Sequence, residues 1–141
     1  MSPCFDHIGL LTAELDRSVA FYRDVLGFEF VSRRSGKGGN EQAVFRVGDG
    51  LVILRAEGRS VAKGRNSASG MHHLAFCLEP KEYDAVIEAC QRGGVEVTRQ
   101  ALNKGARGIG LAAYFRDPDG NHLEIKKYSE LPEKTSDAER P

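Results

Sequence analysis

The chain has 141 residues, and its 20 basic and 20 acidic side chains cancel at neutral pH; this size suits one compact domain or two fused half-domains. The charge balance gives no basic surface for nucleic acids, and the longest apolar runs are far short of the ~20 residues of a membrane span, so we expect neither partner. The three cysteines are widely spaced, which favours a reducing, cytoplasmic location over a disulfide framework, and Cys77 and Cys90 lie in apolar stretches typical of core thiols.

The first half of the chain predicts a strand, a helix and three further strands. Apolar residues recur at helical spacing between Thr12 and Leu26, which indicates one buried helix face. The turn pair Asp49-Gly50 joins the last two strands in a hairpin. The predicted elements are the strand Phe5–Leu11, the helix Thr12–Leu26 and the strands Phe28–Arg33, Gln42–Val47 and Leu51–Ala56.

The second half predicts the same order of elements. Pro80 suits the first turn of a helix, and Gly93-Gly94 ends it. The stretch Gln100–Gly110 is predicted to be a loop. The predicted elements are the strand Met71–Leu78, the helix from Pro80 to Gly93, and the strands Val95–Arg99, Leu111–Phe115 and Asn121–Tyr128.

These two halves form an internal repeat. Phe45-Arg46-Val47-Gly48-Asp49-Gly50 precedes the last strand of the first copy, and Phe115-Arg116-Asp117-Pro118-Asp119-Gly120 precedes the last strand of the second. Because each copy must fold as the same unit, we predict an α+β fold with helices outside curved sheets. The predicted division is residues 1–57 for the first module, 58–70 for a linker, 71–128 for the second module and 129–141 for a flexible tail.

Three polar residues stand at notable positions in the repeat. His7 and His73 are equivalent, and Glu124 lies in the last strand of the second copy where the first copy has Leu54. Since successive strand residues point to opposite faces, the three side chains could line one face. Burying them costs several kcal/mol unless they pair or bind a cation. Two histidines and a carboxylate are a ligand set for Zn(II), Mn(II), Ni(II) or Fe(II).

Simpler explanations exist for each of these polar residues. A single strand histidine is more often a hydrogen-bonded structural residue than a ligand, and Glu124 could be an exposed strand charge. His72 is expected to face the side opposite to His73, in a hydrogen-bonded or surface position. His122 is expected to be solvated. Lys104 and Arg107 are expected to be solvated loop charges that could also bind an anionic substrate.

Three blocks of the sequence resemble the vicinal oxygen chelate superfamily. They are Asp6-His7-Ile8, the stretch from Phe21 to Phe28, and the stretch from Tyr114 to Glu124. The superfamily includes glyoxalase I, extradiol dioxygenases, fosfomycin-modifying thiol transferases, methylmalonyl-CoA epimerases and metal-free bleomycin-resistance proteins; the closest likeness is to small glyoxalase-domain proteins of unassigned activity. The resemblance implies two βαβββ modules whose mixed sheets form a cup for a metal or ligand, often in a homodimer.

The same resemblance implies roles for individual residues. His7, His73 and Glu124 match three metal-ligand positions. The fourth position, a glutamate or glutamine in glyoxalase I and the epimerases, falls at Leu54, which cannot coordinate. Tyr114 falls where extradiol dioxygenases carry a tyrosine near the iron, and would donate a hydrogen bond to a substrate oxygen.

The sequence also departs from individual branches of the superfamily. Dioxygenases usually supply a further histidine near Gln100–Ala113, and none is present; fosfomycin transferases usually have threonine at the position of Gly9. Our hypothesis is a metal-dependent enzyme for a small-molecule substrate, of the dioxygenase type, with Fe(II) or Mn(II) favoured over Zn(II) or Ni(II). The alternatives are a glyoxalase-like lyase or isomerase, and a metal-free small-molecule-binding protein of the drug-resistance type.

Overall fold

The computed structural model describes residues 2–35, 40–57 and 70–128. Apart from Gly70, the predicted linker and tail lie outside these residues. No helix in the described part of the chain is long and apolar enough to cross a membrane. The elements are β1 His7–Thr12, α1 Leu15–Ala20 with a π-helical continuation Phe21–Val25, β2 Glu29–Ser35, β3 Glu41–Val47, β4 Gly50–Ala56, β5 Leu74–Cys77, α2 Pro80–Gly93, β6 Arg99–Gly105, β7 Gly108–Arg116 and β8 His122–Lys127.

Each repeat builds a four-stranded mixed sheet with the same topology. The first sheet has the order β1-β4-β3-β2, and the second has the order β5-β8-β7-β6. In both, the opening strand of the repeat runs parallel to its last strand, while the other neighbours are antiparallel. The predicted α+β fold of two strand–helix–strand–strand–strand units is therefore confirmed.

The core of the first repeat forms between α1 and one face of its sheet. Tyr22 is fully buried, and its ring centroid lies 6.2 Å from that of Phe28 and 6.0 Å from that of Phe45. The helix begins at Leu15 and not at Thr12 as predicted, because Thr12 is the last residue of β1. Gly27 follows the helix with φ of 70°, a left-handed conformation that glycine adopts without strain.

In the second repeat, α2 packs on one face of the sheet. Tyr83 and Cys90 are buried on the inner side of the helix, and burial raises the pKa of the Cys90 thiol to about 11. Cys90 is therefore the core thiol that the sequence predicts. Cys77 is exposed, so its prediction as a core thiol is wrong. It lies on the face of β5 that alternates away from the buried Phe76.

The sixth strand differs from the prediction in position and length. Residues 95–98 precede the strand, and Gln100–Gly110, predicted to be a loop, lies almost wholly in the hairpin of β6 and β7. Gly108, with φ of 100°, provides the left-handed conformation at the turn. Because β6 is an edge strand of the sheet and carries Lys, Asn and Gly, it lacks the apolar alternation by which a strand is recognised.

The described residues group into two compact units, and the turn Pro118–Gly120 belongs with the first repeat. Asp119 explains this grouping: its Oδ1 accepts a hydrogen bond from the Ala13 N–H at 2.9 Å, and its Oδ2 accepts one from Ser18 Oγ at 3.0 Å. Ser18 Oγ also lies 2.6 Å from Thr12 Oγ1, and both hydroxyls are fully buried. The turn of the second repeat thus supplies the hydrogen-bond acceptor for polar groups at the start of α1 in the first repeat.

Asp119→Ala is expected to lower the free energy of unfolding by about 2 kcal/mol, since the Ala13 N–H and the Ser18 hydroxyl lose a charged acceptor. Asp49→Ala is the matched control because Asp49 is the equivalent turn residue of the first repeat and is exposed; it is expected to cost less than ~0.5 kcal/mol. Urea denaturation measures both, and equal effects would show that the Asp119 contacts do not stabilise the fold.

Candidate active site

The two faces of the second sheet differ in what they carry. On one face, α2 packs over Lys127, whose Nζ lies 3.0 Å from Asp84 Oδ1 and 4.8 Å from the centre of the Tyr83 ring. Side chains alternate along β8, so Glu124 and Lys126 point to the opposite face. That opposite face contains most of the predicted site residues of the second repeat, and we call it the polar face.

Glu124 is at the centre of the polar face. It is only 5% exposed, and its Oε2 lies 3.2 Å from Nε2 of His73. Its other carboxylate oxygen, Oε1, lies 3.6 Å from Nζ of Lys126. The predictions that Glu124 faces away from its aliphatic neighbours and lies near His73 agree with this geometry.

Tyr114 lies beside Glu124 on the neighbouring strand. The two residues are directly paired in the antiparallel register of β7 and β8. Burial raises the pKa of the Tyr114 hydroxyl, and the negative charge of Glu124 and a hydrogen bond with it raise the pKa further. The hydroxyl is therefore protonated at neutral pH and available as a hydrogen-bond donor. Asn103 Nδ2 donates a second hydrogen bond to the Tyr114 oxygen.

Lys126 and Asn103 are members of this cluster that the sequence reasoning missed. The ammonium group of Lys126 donates to the backbone oxygen of Asn103 at 3.1 Å and to its side-chain Oδ1. Glu124, Lys126, Asn103 and Tyr114 thus form one connected network. The sequence signal for Lys126 is its spacing of two residues from Glu124 along β8. Asn103 gives no such signal, because it lies in the stretch predicted to be a loop.

His7, the third predicted metal ligand, is the first residue of β1 in the first unit. It is exposed, and its Nδ1 lies 2.5 Å from Oδ1 of Asp6. A carboxylate on one ring nitrogen fixes the orientation of an imidazole and is common for histidines that bind metals through the other nitrogen. The structure brings together His73, Glu124 and Tyr114 within the second unit, whereas His7 belongs to the first.

His73 and Glu124 are chemically suited to hold a divalent cation. Imidazole nitrogen and carboxylate oxygen are both ligands of such ions, and their 3.2 Å spacing is of the size expected for two donors to one ion. Within residues 2–35, 40–57 and 70–128, no three His, Cys, Asp or Glu side chains form a group that could hold a metal ion. The complete ligand set of His7, His73 and Glu124 stays a prediction.

Comparison with known proteins identifies the family. Residues 5–125 match the family model described as the Glyoxalase/Bleomycin resistance protein/Dioxygenase superfamily. The chain belongs to this superfamily. A crystal structure of a glyoxylase/bleomycin resistance protein/dioxygenase domain from Frankia sp. EAN1pec has the same fold, with a TM-score of 0.72 and 22% identity, over 90% of this chain and 92% of that one.

Three relatives align with most of the chain. A virulence protein of Salmonella typhimurium is 29% identical over 123 residues, which are 87% of this chain and 83% of that protein. Catechol-2,3-dioxygenase of Bacillus subtilis is 29% identical over 138 residues, which are 95% of this chain but 45% of the dioxygenase. This chain therefore spans less than half of that enzyme. A protein of Geobacillus genomosp. 3 named manganese-dependent 2,3-dihydroxybiphenyl 1,2-dioxygenase is 31% identical over 127 residues, which are 86% of this chain and 35% of that protein.

The strand register corrects one superfamily position. Ala75 pairs with Glu124 in the second sheet, and the equivalent Gly9 pairs with Ile53 in the first. The repeat counterpart of Glu124 is therefore Ile53 and not Leu54, which is buried on the α1 face with 1% exposure. Both Ile53 and Leu54 are aliphatic. The fourth ligand position of the superfamily therefore has no side chain that could bind a metal, whichever of the two residues occupies it.

The remaining candidates are placed as follows. His72 was predicted to face away from His73, but their Nδ1 atoms are 2.9 Å apart, because both residues precede β5 and strand alternation does not apply to them. His122 is exposed, which agrees with a solvated position. Lys104 is exposed on β6, and Arg107 lies in the adjoining turn, with a guanidinium nitrogen 3.5 Å from Cys77 Sγ.

Proposed function

We propose that this protein is a divalent-metal-dependent enzyme that acts on a small molecule with two neighbouring oxygens. The observation that supports this best is the 3.2 Å contact between His73 Nε2 and Glu124 Oε2. Glu124 is nearly inaccessible to water. A buried carboxylate is costly unless it is paired or binds a cation, and an imidazole beside it provides a second ligand for such an ion. His7 is the third ligand in this proposal.

The proposed chemistry is of the dioxygenase type, with Fe(II) or Mn(II) as the metal. A bound divalent ion supplies Lewis-acid polarisation of the two substrate oxygens. The chain itself supplies Tyr114, whose raised pKa keeps its proton in place for donation to a substrate oxygen. Asn103 orients that phenol through its own hydrogen bond to the Tyr114 oxygen. The similarity to proteins named catechol-2,3-dioxygenase and manganese-dependent 2,3-dihydroxybiphenyl 1,2-dioxygenase supports this proposal.

Elemental analysis of protein purified without chelator tests the metal site. We expect close to one divalent ion per chain in the parent protein and less than a tenth of that in His7→Ala, His73→Ala and Glu124→Ala, since each removes one of three ligands. Tyr114→Phe is the control: it removes the hydroxyl but no ligand, and is expected to keep the metal. A parent protein without metal would favour the metal-free binding protein instead.

Oxygen uptake tests the reaction. The protein is loaded anaerobically with Fe(II) or Mn(II) and mixed with a panel of catechols, and consumption of oxygen is expected with at least one. Turnover of methylglyoxal–thiol adducts under Ni(II) or Zn(II) is measured beside it. Turnover of the adducts without oxygen uptake would replace the dioxygenase proposal with a glyoxalase-like lyase or isomerase, which the aliphatic Ile53 at the fourth ligand position disfavours.

We further propose a homodimer, as the family resemblance implies. Light scattering during gel filtration measures the mass directly. Mixing His7→Ala with His73→Ala protein then reports which chain supplies each ligand. Recovery of metal binding to about a quarter or more of the parent level would mean that His7 and His73 act from different protomers, whereas no recovery would place them in the same protomer.

A further inference from the structure

The polar face of the second sheet carries more positive than negative charge. By the alternation of side chains along β6, β7 and β8, Arg99 and Lys126 share this face with Glu124. Glu124 is the single acidic residue among the strand positions of β5 to β8 that belong to the polar face. The whole chain has equal numbers of acidic and basic residues, so this excess is a local property of the site.

Lys126 is the buried member of this group. It is 5% exposed, and two of its N–H bonds are directed to the backbone and side-chain oxygens of Asn103. Its only carboxylate neighbour among the described residues is Glu124, at 3.6 Å, which is longer than a charge-assisted hydrogen bond. An ammonium group buried in this way is costly unless a negative charge approaches it.

A glycine on β6 leaves the space that the side chain of Lys126 occupies. Gly105 lies on β6 opposite the lysine stem, and a Cβ added there would be 2.6 Å from Cε of Lys126. The aromatic ring of Tyr128 lies 5.7 Å from Nζ on another side. The ammonium group is therefore fixed beside Glu124 and does not extend to bulk water, as most lysines do.

Two further cations lie at the border of the polar face. The guanidinium carbon of Arg99 is 6.0 Å from the centre of the Tyr114 ring. Arg107 contacts Cys77, which is the residue paired with Lys126 across β5 and β8. Once the carboxylate of Glu124 binds a metal ion, as in the function proposed above, it no longer neutralises Lys126. The buried ammonium group of Lys126 is then without a carboxylate to balance its charge among the described residues.

We propose that the substrate carries a carboxylate, which Lys126 binds beside the two oxygens that the metal holds. This inference rests on the proposed metal site and adds the substrate class to it. Lys126 is the specificity-determining residue, because it provides a fixed and poorly hydrated positive charge. Arg99 and Arg107, at the exposed border of the polar face, attract the same anion from solution.

Calorimetric titration of the Mn(II)-loaded full-length protein tests this proposal with two probes of similar size. They are 3,4-dihydroxybenzoate and its neutral methyl ester. The parent protein is expected to bind the acid at least tenfold more tightly than the ester. Lys126→Gln should reduce this preference to less than about twofold and leave the affinity for the ester unchanged, while Lys126→Arg should retain most of the preference. Lys104→Gln, an exposed charge on the opposite face of β6, is the control and should behave as the parent.

The results of this titration distinguish a failure of the carboxylate inference from a failure of the metal proposal. Equal affinity of the parent protein for acid and ester, binding of neither, or equal weakening of both probes by Lys126→Gln would overturn the carboxylate inference, whatever the metal content. A parent protein that retains no Mn(II) would instead refute the metal site, on which this inference rests. Thermal unfolding of each variant confirms that it is folded before titration.

Discussion

Glu124→Ala is expected to lower the free energy of unfolding of the metal-free protein by about 3 kcal/mol, because the substitution leaves the ammonium group of Lys126 buried without a carboxylate. Both side chains of this pair are less than a tenth exposed, so the ammonium group of Lys126 is poorly solvated when its partner is removed. His73, by contrast, has a side chain that is 42% exposed, and His73→Ala is expected to cost less than ~1 kcal/mol. Urea denaturation in the presence of a chelator measures both.

The double variant Glu124→Leu/Lys126→Met provides the control for this prediction. It removes both charges and fills their space with apolar groups, and a buried ion pair replaced in this way usually costs little. We expect the double variant to be at least 2 kcal/mol more stable than Glu124→Leu alone. If the effects of the two single substitutions simply add, Glu124 and Lys126 do not depend on each other, and the charge argument for the polar face fails.

Gly110→Ala is expected to destabilise the protein by about 2 kcal/mol through overpacking. A Cβ at this position would lie 2.8 Å from Cδ1 of Tyr128 and 2.9 Å from the backbone oxygen of Lys127. Real Cβ atoms do not approach other atoms so closely, and the oxygen belongs to the hydrogen-bonded ladder of β8. Either the strand pair separates or the Tyr128 ring leaves its place beside Lys126.

Alanine substitutions at two other glycines provide comparisons for the destabilisation expected from Gly110→Ala. At Gly105 the nearest atoms belong to the side chains of Lys126 and Tyr128 and none to the backbone, so Gly105→Ala is expected to cost less than Gly110→Ala. Gly93, in α2, has no atom within 4 Å of an added Cβ, and Gly93→Ala should be neutral or stabilising by up to ~1 kcal/mol. Denaturation midpoints in any other order would contradict this account of the glycines.

Much of the fold follows from the sequence because the chain repeats one pattern twice. The buried strands and both helices show clear apolar periodicity, and α2 ends where the glycine pair predicts. Edge strand β6 could not be found in this way, because only one of its neighbours is a strand and its polar residues resemble those of a loop. The exact partner of Glu124 in the first repeat depends on strand register, which apolar runs such as Leu51–Leu54 do not define.

For the candidate site, sequence identifies the residue types but not their network. His73, Glu124 and Tyr114 were predicted from the repeat and the family resemblance, and all three lie together. The sequence alone does not reveal the role of Lys126, because lysines are rarely buried and are normally solvated. Its burial depends on the space that Gly105 leaves, and on contacts with Asn103 that are distant in sequence. Such relations appear only when three strands are placed side by side.

The attachment of Asp119 to the start of α1 has a consequence for the ancestry and the dissection of this chain. A polypeptide ending after the first repeat would retain Thr12 and Ser18 but not the acidic side chain that satisfies them. If a single-repeat ancestor was duplicated to give this chain, its helix needed the same carboxylate from a second molecule. Severing the chain between its halves would recreate that dependence for the first fragment, whose Ala13 N–H and Ser18 hydroxyl would again need the Asp119 carboxylate from a separate molecule.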